Sequence, residues 1–248
     1  MSQAASVTGV QRFHSRFVNW YLVEDGDRLA AIDAGLPPDW SALCRTLARR
    51  GQSIGQLAAV VLTHAHVDHL GFAERARREA GATIYVHERD APLASSRRRV
   101  AAHERNPLRY ARYAQGRASM AAMLRTAAFR GKPVRDLTTF ADGDTLTSVA
   151  GSPRVVFTPG HTLGHCALHL PDRDVLFTGD ALVTCNPYTG RLGPQIVARA
   201  ATADSDAALA SLERIAATGA RTLLPGHGEP WIDGAGEAVR LARTAGSS

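Results

Sequence analysis

The chain is expected to fold as an α+β protein. Short apolar runs rich in β-branched residues recur along it, and several end in turn residues followed by a histidine or aspartate. Between them lie stretches with apolar residues at helical spacing. Residues 17–23 and 28–32 read as strands joined by Glu24-Asp25-Gly26-Asp27, where Asp-Gly is a hairpin signal. A helix is expected over 39–50, with Trp40, Leu43, Cys44 and Leu47 on one stripe. The run 58–62 reads as a buried strand, followed by a short helix from 73 that ends at Gly81, a natural position for a left-handed terminator. Residues 83–86 form another strand ending at His87, which has no partner motif and is read as structural.

A helical segment is expected over about 91–135. Met120, Met123, Leu124 and Ala127 make one stripe there, and Arg105, Arg109 and Arg112 a basic one. The second half returns to strand-like runs that begin at 155, 174 and 221. A helix over 204–218 carries Leu209, Leu212, Ile215 and Ala216 on one face, with Asp204 as N-cap and Gly219 as terminator. A last helix covers 235–245. No repeat or low-complexity linker divides residues 1–248, so one domain is expected.

Composition narrows the function classes. Apolar residues at 45% and charged residues at 21% are ordinary for a globular chain with a substantial core. No apolar run approaches the roughly 18 to 20 residues of a membrane span, and residues 1–15 lack a signal-peptide core, so a cytoplasmic protein without membrane association is expected. Cys44, Cys166 and Cys185 form no disulfide framework or Cys-x-x-Cys site, and all three read as small core residues. The net charge of +6 is unevenly spread. Residues 89–135 hold eleven arginines and Lys132 against Asp90 and Glu104, a local balance of +10 that leaves −4 elsewhere. Such a segment suits an anionic small-molecule substrate, nucleic acid or a solvated helix face.

The most informative stretch is Thr63-His64-Ala65-His66-Val67-Asp68-His69, directly after the strand at 58–62. Four metal-binding side chains in six residues at a strand end crowd imidazoles and a carboxylate into one volume. Burying them without partners would cost several kcal/mol, roughly, which a divalent cation would offset. Three later runs share the pattern strand, glycine, ligand: Gly160-His161, Gly179-Asp180 and Gly226-His227. Glycine lets the chain turn sharply and lets the ligand approach an ion closely. If the strands share one edge, His64, His66, Asp68, His69, His161, Asp180 and His227 converge. Seven donors exceed the set of about four around one zinc and suit two ions sharing a carboxylate.

In this ordered set the chain resembles the metallo-β-lactamase superfamily. Asp33 in Ile32-Asp33-Ala34-Gly35 matches the first motif, and the His-x-His-x-Asp-His block the second. His161 in Gly160-His161-Thr162-Leu163-Gly164-His165 matches the third, and Asp180 and His227 the fourth and fifth. The resemblance implies a four-layer αββα sandwich in which the segment 91–135 is a helical insertion over the metal cleft. It also implies a ligand set: His64, His66 and His161 for one metal, Asp68, His69 and His227 for the other, and Asp180 between them. Asp33 would orient the ligand loops, and His165 would lie nearby, orienting a ligand or touching substrate.

The expected chemistry is hydrolysis of a small ester, lactone or thioester by a hydroxide bridging two divalent ions, zinc foremost, with iron or manganese compatible. The resemblance implies that Asp180 and Asp68 would carry the catalytic roles, Asp68 orienting the nucleophile or moving a proton. In the loop-like stretch 181–195, Tyr188 and Arg191 are candidates for substrate contact. The twenty-one residues after His227 leave no room for the glutathione-binding helical domain of glyoxalase II-like thioesterases. The long insertion of β-CASP nucleases is absent between Asp180 and His227, and His66 stands where flavodiiron proteins carry glutamate. Two alternatives stay open: a mononuclear iron enzyme of the persulfide dioxygenase type, and a small phosphodiesterase or nuclease using the basic segment. A homodimer is compatible with the sequence, and nucleic acid is the lesser choice of partner.

Overall fold

A computed structural model describes residues 7–96, 110–130 and 132–247. The first half builds a six-stranded mixed sheet. Strands β1 (Val10–Ser15), β2 (Val18–Asp25) and β3 (Arg28–Ile32) pair antiparallel, and helix α1 (Asp39–Arg49) leads into β4 (Leu57–Val61). Helix α2 (Ala73–Glu79) then connects to β5 (Thr83–His87). After the short helix α3 (Ala91–Ala94) and helix α4 (Ala114–Arg125), β6 (Leu137–Phe140) closes the sheet. Strands β3 to β6 run parallel, and the order is β1-β2-β3-β4-β5-β6.

The second half supplies β7 (Arg154–Phe157), β8 (Cys166–Leu170) and β9 (Val175–Gly179), then the hairpin β10 (Val183–Cys185) and β11 (Leu192–Gln195). Helix α5 (Ser205–Ala216), β12 (Thr222–Pro225) and helix α6 (Ala235–Ala245) complete it. Its four-stranded sheet has the order β12-β9-β8-β7, with β12 and β9 parallel.

Alternation of side chains along each strand divides the core into three layers. Tyr21, Val23, Ile32 and Val61 of the first sheet meet Val155, Leu168, Val175 and Phe177 of the second. The opposite face of the first sheet, with Trp20, Leu22, Leu29 and Val60, is covered by Trp40, Leu43 and Leu47 of α1 and by Ala73 and Ala76 of α2. The outer face of the second sheet, with Ala167, Leu176 and Leu223, is covered by Leu212 and Ile215 of α5 and Val239 and Ala242 of α6. The arrangement is therefore helices, sheet, sheet, helices. No helix among the described residues is long and apolar enough to cross a membrane.

Several elements depart from the sequence reading. Strand β1 is not expected from the sequence, because Gln11, Arg12 and His14 sit on an edge strand whose side chains are partly exposed. The stretch 181–195 is a hairpin rather than a loop: Asn186 and Arg191 close its turn, with Asn186 N donating to Arg191 O at 2.9 Å. On α4 the buried residues are Gly116, Ser119, Ala122 and Met123, while Leu124 is 65% exposed and Ala127 lies beyond the helix end. The inward face is thus rotated from the expected stripe. Arg112 stacks on Tyr113 at the surface, and Arg105 and Arg109 lie outside the described residues. Cys166 is buried between the sheets and Cys44 packs against the first core, whereas Cys185 is only half-buried.

Candidate metal centre

Four chain segments deliver the seven expected donors to one end of the sandwich. His64, His66, Asp68 and His69 follow β4, His161 follows β7, Asp180 follows β9 and His227 follows β12. Each donor stands just past the carboxyl end of its strand, so the strands' own hydrogen bonds fix where the loops begin. Three groups have ligand atoms within 4.8 Å of one another: His64, His66 and His161; His64, His69 and Asp180; Asp68, His69 and His227. Asp180 joins the two ends of the cluster. Its Oδ2 lies 3.3 Å from His161 Nε2 and 3.1 Å from His227 Nε2, and its Oδ1 lies 3.5 Å from His69 Nε2. Asp68 Oδ2 is 3.6 Å from His227 Nε2 and 4.0 Å from His69 Nε2.

For three of the rings the far side fixes which nitrogen faces the cluster. His227 Nδ1 donates to the Phe17 carbonyl at 2.7 Å, which leaves the Nε2 lone pair pointing inward. Thr63 Oγ1 donates its single proton to Asp33 and so accepts from His64 Nδ1 at 3.0 Å, with the same consequence. Asp33 also takes His69 Nδ1 at 2.9 Å and the Thr63 amide at 2.8 Å. It holds φ at +61°, a left-handed value that aspartate tolerates better than most residues. This is the orientation of imidazoles by outer carboxylates and carbonyls that metal sites use. Meanwhile Nε2 of His64, His69 and His161 and Oδ1 of Asp180 are buried with no hydrogen-bond partner. Orphaned buried polar atoms of this kind are costly, and a cation among them satisfies all of them together. The donor set therefore fits a pair of divalent ions.

The local electrostatics agree. Burial pushes His64 and His161 well below the usual imidazole range, with neighbouring imidazoles adding to it, so both stand as neutral ligands. Burial opposes charge on His69 as well, yet Asp33, Asp180 and Asp68 outweigh it and raise that group to about 10. His227 is raised by Asp180 and Asp68 against the same desolvation. Burial would push Asp180 up, but the imidazoles of His227 and His69 override it and hold the carboxyl well below its ordinary value. A field that favours protons on His69 and His227 is one that favours a cation.

The remaining candidates separate clearly. His165 is fully buried, and its Nε2 accepts the Asp180 amide at 2.9 Å while Nδ1 meets Thr158 Oγ1. It braces the turn that presents Asp180 and does not line the cleft. Tyr188 does line the cleft. Arg191 does not: its guanidinium donates to the Ala245 carbonyl at the end of α6. His87 stacks on Phe157 away from the cluster.

Two supporting residues escaped the sequence reading. Asp90, just after β5, accepts the Ala65 amide at 2.9 Å, the Thr162 hydroxyl at 2.7 Å and the Gly164 amide at 2.8 Å. One buried carboxylate thus ties the His64–His66 loop to the His161 loop. Asn19 on β2 donates to the carbonyls of Pro225 and Gly228 at 2.9 and 2.7 Å and so clamps the loop carrying His227. Glycine has a definite task at Gly226, where a Cβ would collide with Asp180 Oδ1 and His69 Cε1.

A cleft partly open to solvent lies over the cluster. His66, Asp68, His161, Asp180 and His227 form its floor, and Phe17, Val67, Met120, Met123, Phe129 and Pro187 are among its walls.

Comparison with known proteins gives one consistent result. The profile described as the metallo-beta-lactamase superfamily matches residues 15–227. The chain is similar to "Probable metallo-hydrolase YflN" of Bacillus subtilis, at 25% identity over 90% of this chain and 84% of that one. It is 30% identical to a hydroxyacylglutathione hydrolase of Cereibacter sphaeroides, over 59% of this chain and only 41% of that enzyme. Among solved structures, the metallo-beta-lactamase family protein TTHA1429 of Thermus thermophilus is similar at 28% identity, with a TM-score of 0.68 over 96% of this chain and 79% of that one. TTHA1623, solved in a di-iron-bound form, is similar at 26% identity, with a TM-score of 0.63 over 94% and 98% of the two chains.

Proposed function

The chain belongs to the metallo-beta-lactamase superfamily, and from that membership and the geometry of its donor cluster we propose that it is a dinuclear metal-dependent hydrolase of small esters, lactones or thioesters. The observation that carries the proposal is the pair of triads, His64–His66–His161 and Asp68–His69–His227, with Asp180 against both. A single-iron oxygenase would need only the first triad and Asp180. The second triad, with its own carboxylate support from Asp33, supplies the donors for a second ion.

In this reading His64, His66 and His161 would hold one ion and Asp68, His69 and His227 the other, with Asp180 lying against both sets. Bound there, the ions would supply Lewis acidity, polarising the scissile carbonyl and bringing a water's pKa near neutrality. Among the donors that line the cleft, Asp68 is the partly exposed one. It orients the attacking water and accepts its proton. Asp33, Thr63 and the Phe17 carbonyl keep the imidazoles in the ligating tautomer. The helical segment around α4 acts as a cover that shapes the pocket for the leaving and acyl portions.

The thioester option is supported by the similarity to the Cereibacter enzyme. Zinc is the first choice of metal because histidine and carboxylate donors without thiolate suit it. The di-iron form of TTHA1623 makes iron the second choice. His66→Ala tests the proposal: bound metal and esterase or thioesterase activity should both fall by more than about tenfold, with the far-ultraviolet circular dichroism unchanged. Full activity in that variant would overturn the ligand assignment.

A further inference from the structure

We propose that the substrate's non-reacting arm is an uncharged apolar chain, seated against Met120 and Met123 of α4, Phe129 and Phe17. The inference rests on the hydrolase reading and adds the substrate class. It departs from the anionic substrate that the basic segment suggested. Among the described residues lining the cleft there is no arginine or lysine, and the charged groups are Asp68, Asp180 and the histidines of the floor. A carboxylate or phosphate on the arm would lose water along these walls and gain no fixed counter-charge from them.

The polar wall residue on α4 offers nothing to such a group. Ser119 is buried, and its hydroxyl donates to the Pro187 carbonyl at 2.7 Å. What the walls do offer is apolar surface anchored to the core. Phe17, Val67, Ala122, Met123 and Ala128 form one buried cluster, with Met120 and Phe129 packed on it yet partly exposed. Those two are free to be covered by a ligand. Methionine side chains are unbranched and polarisable, so the wall can adjust to chains of several lengths. The position over His66, His161 and Asp180 means that an acyl carbon at the floor would leave its chain along this wall.

The test uses the full chain loaded with zinc. Hydrolysis of p-nitrophenyl esters from acetyl to octanoyl is measured, with a hemisuccinyl ester of matched length. The account expects kcat/KM to rise about two- to fourfold per methylene over the first several carbons, and the hemisuccinyl ester to fall below its uncharged counterpart. Met120→Ser, at a partly exposed position that tolerates polarity, should flatten the rise, and Phe129→Ser, at the other partly exposed wall position, should do the same. In parallel, calorimetric titration with linear monocarboxylates and matched dicarboxylates reads the wall without turnover. Affinity that rises with chain length supports the proposal even if no ester is cleaved, a result that would count against the hydrolase reading alone. Flat chain-length dependence, or tighter binding of the dicarboxylates, overturns the proposal and leaves the hydrolase reading standing.

Discussion

At the scale of single residues, the clustered histidines and aspartates and one support, Asp33, were legible in the sequence, while the supports Asp90 and Asn19 were not. His64, His66, Asp68 and His69 announce themselves because they crowd one loop, and His161, Asp180 and His227 because each follows a strand and a glycine. Asp90 and Asn19 carry no such signal. Asn19 grips a loop 206 residues away, and only the fold makes that pairing. The supports can be tested directly. Asp33→Ala removes the acceptor for His69 Nδ1 and for Thr63, so affinity for the second ion should fall about 10- to 100-fold, read by zinc titration against a chelating indicator. An unchanged second affinity would mean that the hydrogen bond does not set ligand orientation. Asp90→Ala strands three buried donors, each costing about 1 to 3 kcal/mol when unpaired. It should lower the denaturation midpoint and weaken the first ion rather than the second. Equal weakening of both would argue for a global effect instead of a loop clamp.

At the scale of elements, period and punctuation located most of the structure. Strand β3 and helix α6 match their expected limits, Arg28–Ile32 and Ala235–Ala245, because turn glycines bound them. Asp204 caps α5 as expected, accepting the amides of Asp206 and Ala207 at 3.0 Å. Asp204→Ala should cost about 1 kcal/mol and Asp204→Asn far less, measured by urea denaturation. Equal loss in both would show that charge, not the hydrogen bonds, is what α5 uses. Strands β1, β6, β10 and β11 were missed or blurred because edge strands and short hairpins owe their pairing to a neighbour more than to their own apolar alternation. Helix α4 shows the converse failure. Its stripe was a correct sign of a helix, but its inward face was set by the approach of Gly116 and Ser119 to the 187–188 turn.

At the scale of the whole molecule, the two sheets form a frame whose shared edge carries the donors, and their joint core governs stability. His87 belongs to that frame. It ends β5 in one sheet and stacks on Phe157 of β7 in the other, with ring centroids 4.6 Å apart. Burial holds its imidazole below the ordinary value, so the folded state keeps it neutral where an unfolded chain would protonate it. Its contribution is complete above the unfolded value of about 6.5 and is lost as pH falls below that toward the lowered folded value. His87→Gln should therefore shrink the loss of stability between about pH 7.5 and pH 5.5, followed by denaturant midpoints in the two buffers. A difference as large as in the parent chain would remove His87 from the account. The same frame sets the number of ions expected, because the sheets bring two triads, with Asp180 against both, to a single edge. The measurement that tests this most directly is elemental analysis of the full chain, purified without chelator and freed of loosely held ions. About two zinc or iron ions per chain are expected, falling toward one in His227→Ala. One ion or none in the parent chain, with His227→Ala unchanged, would contradict it.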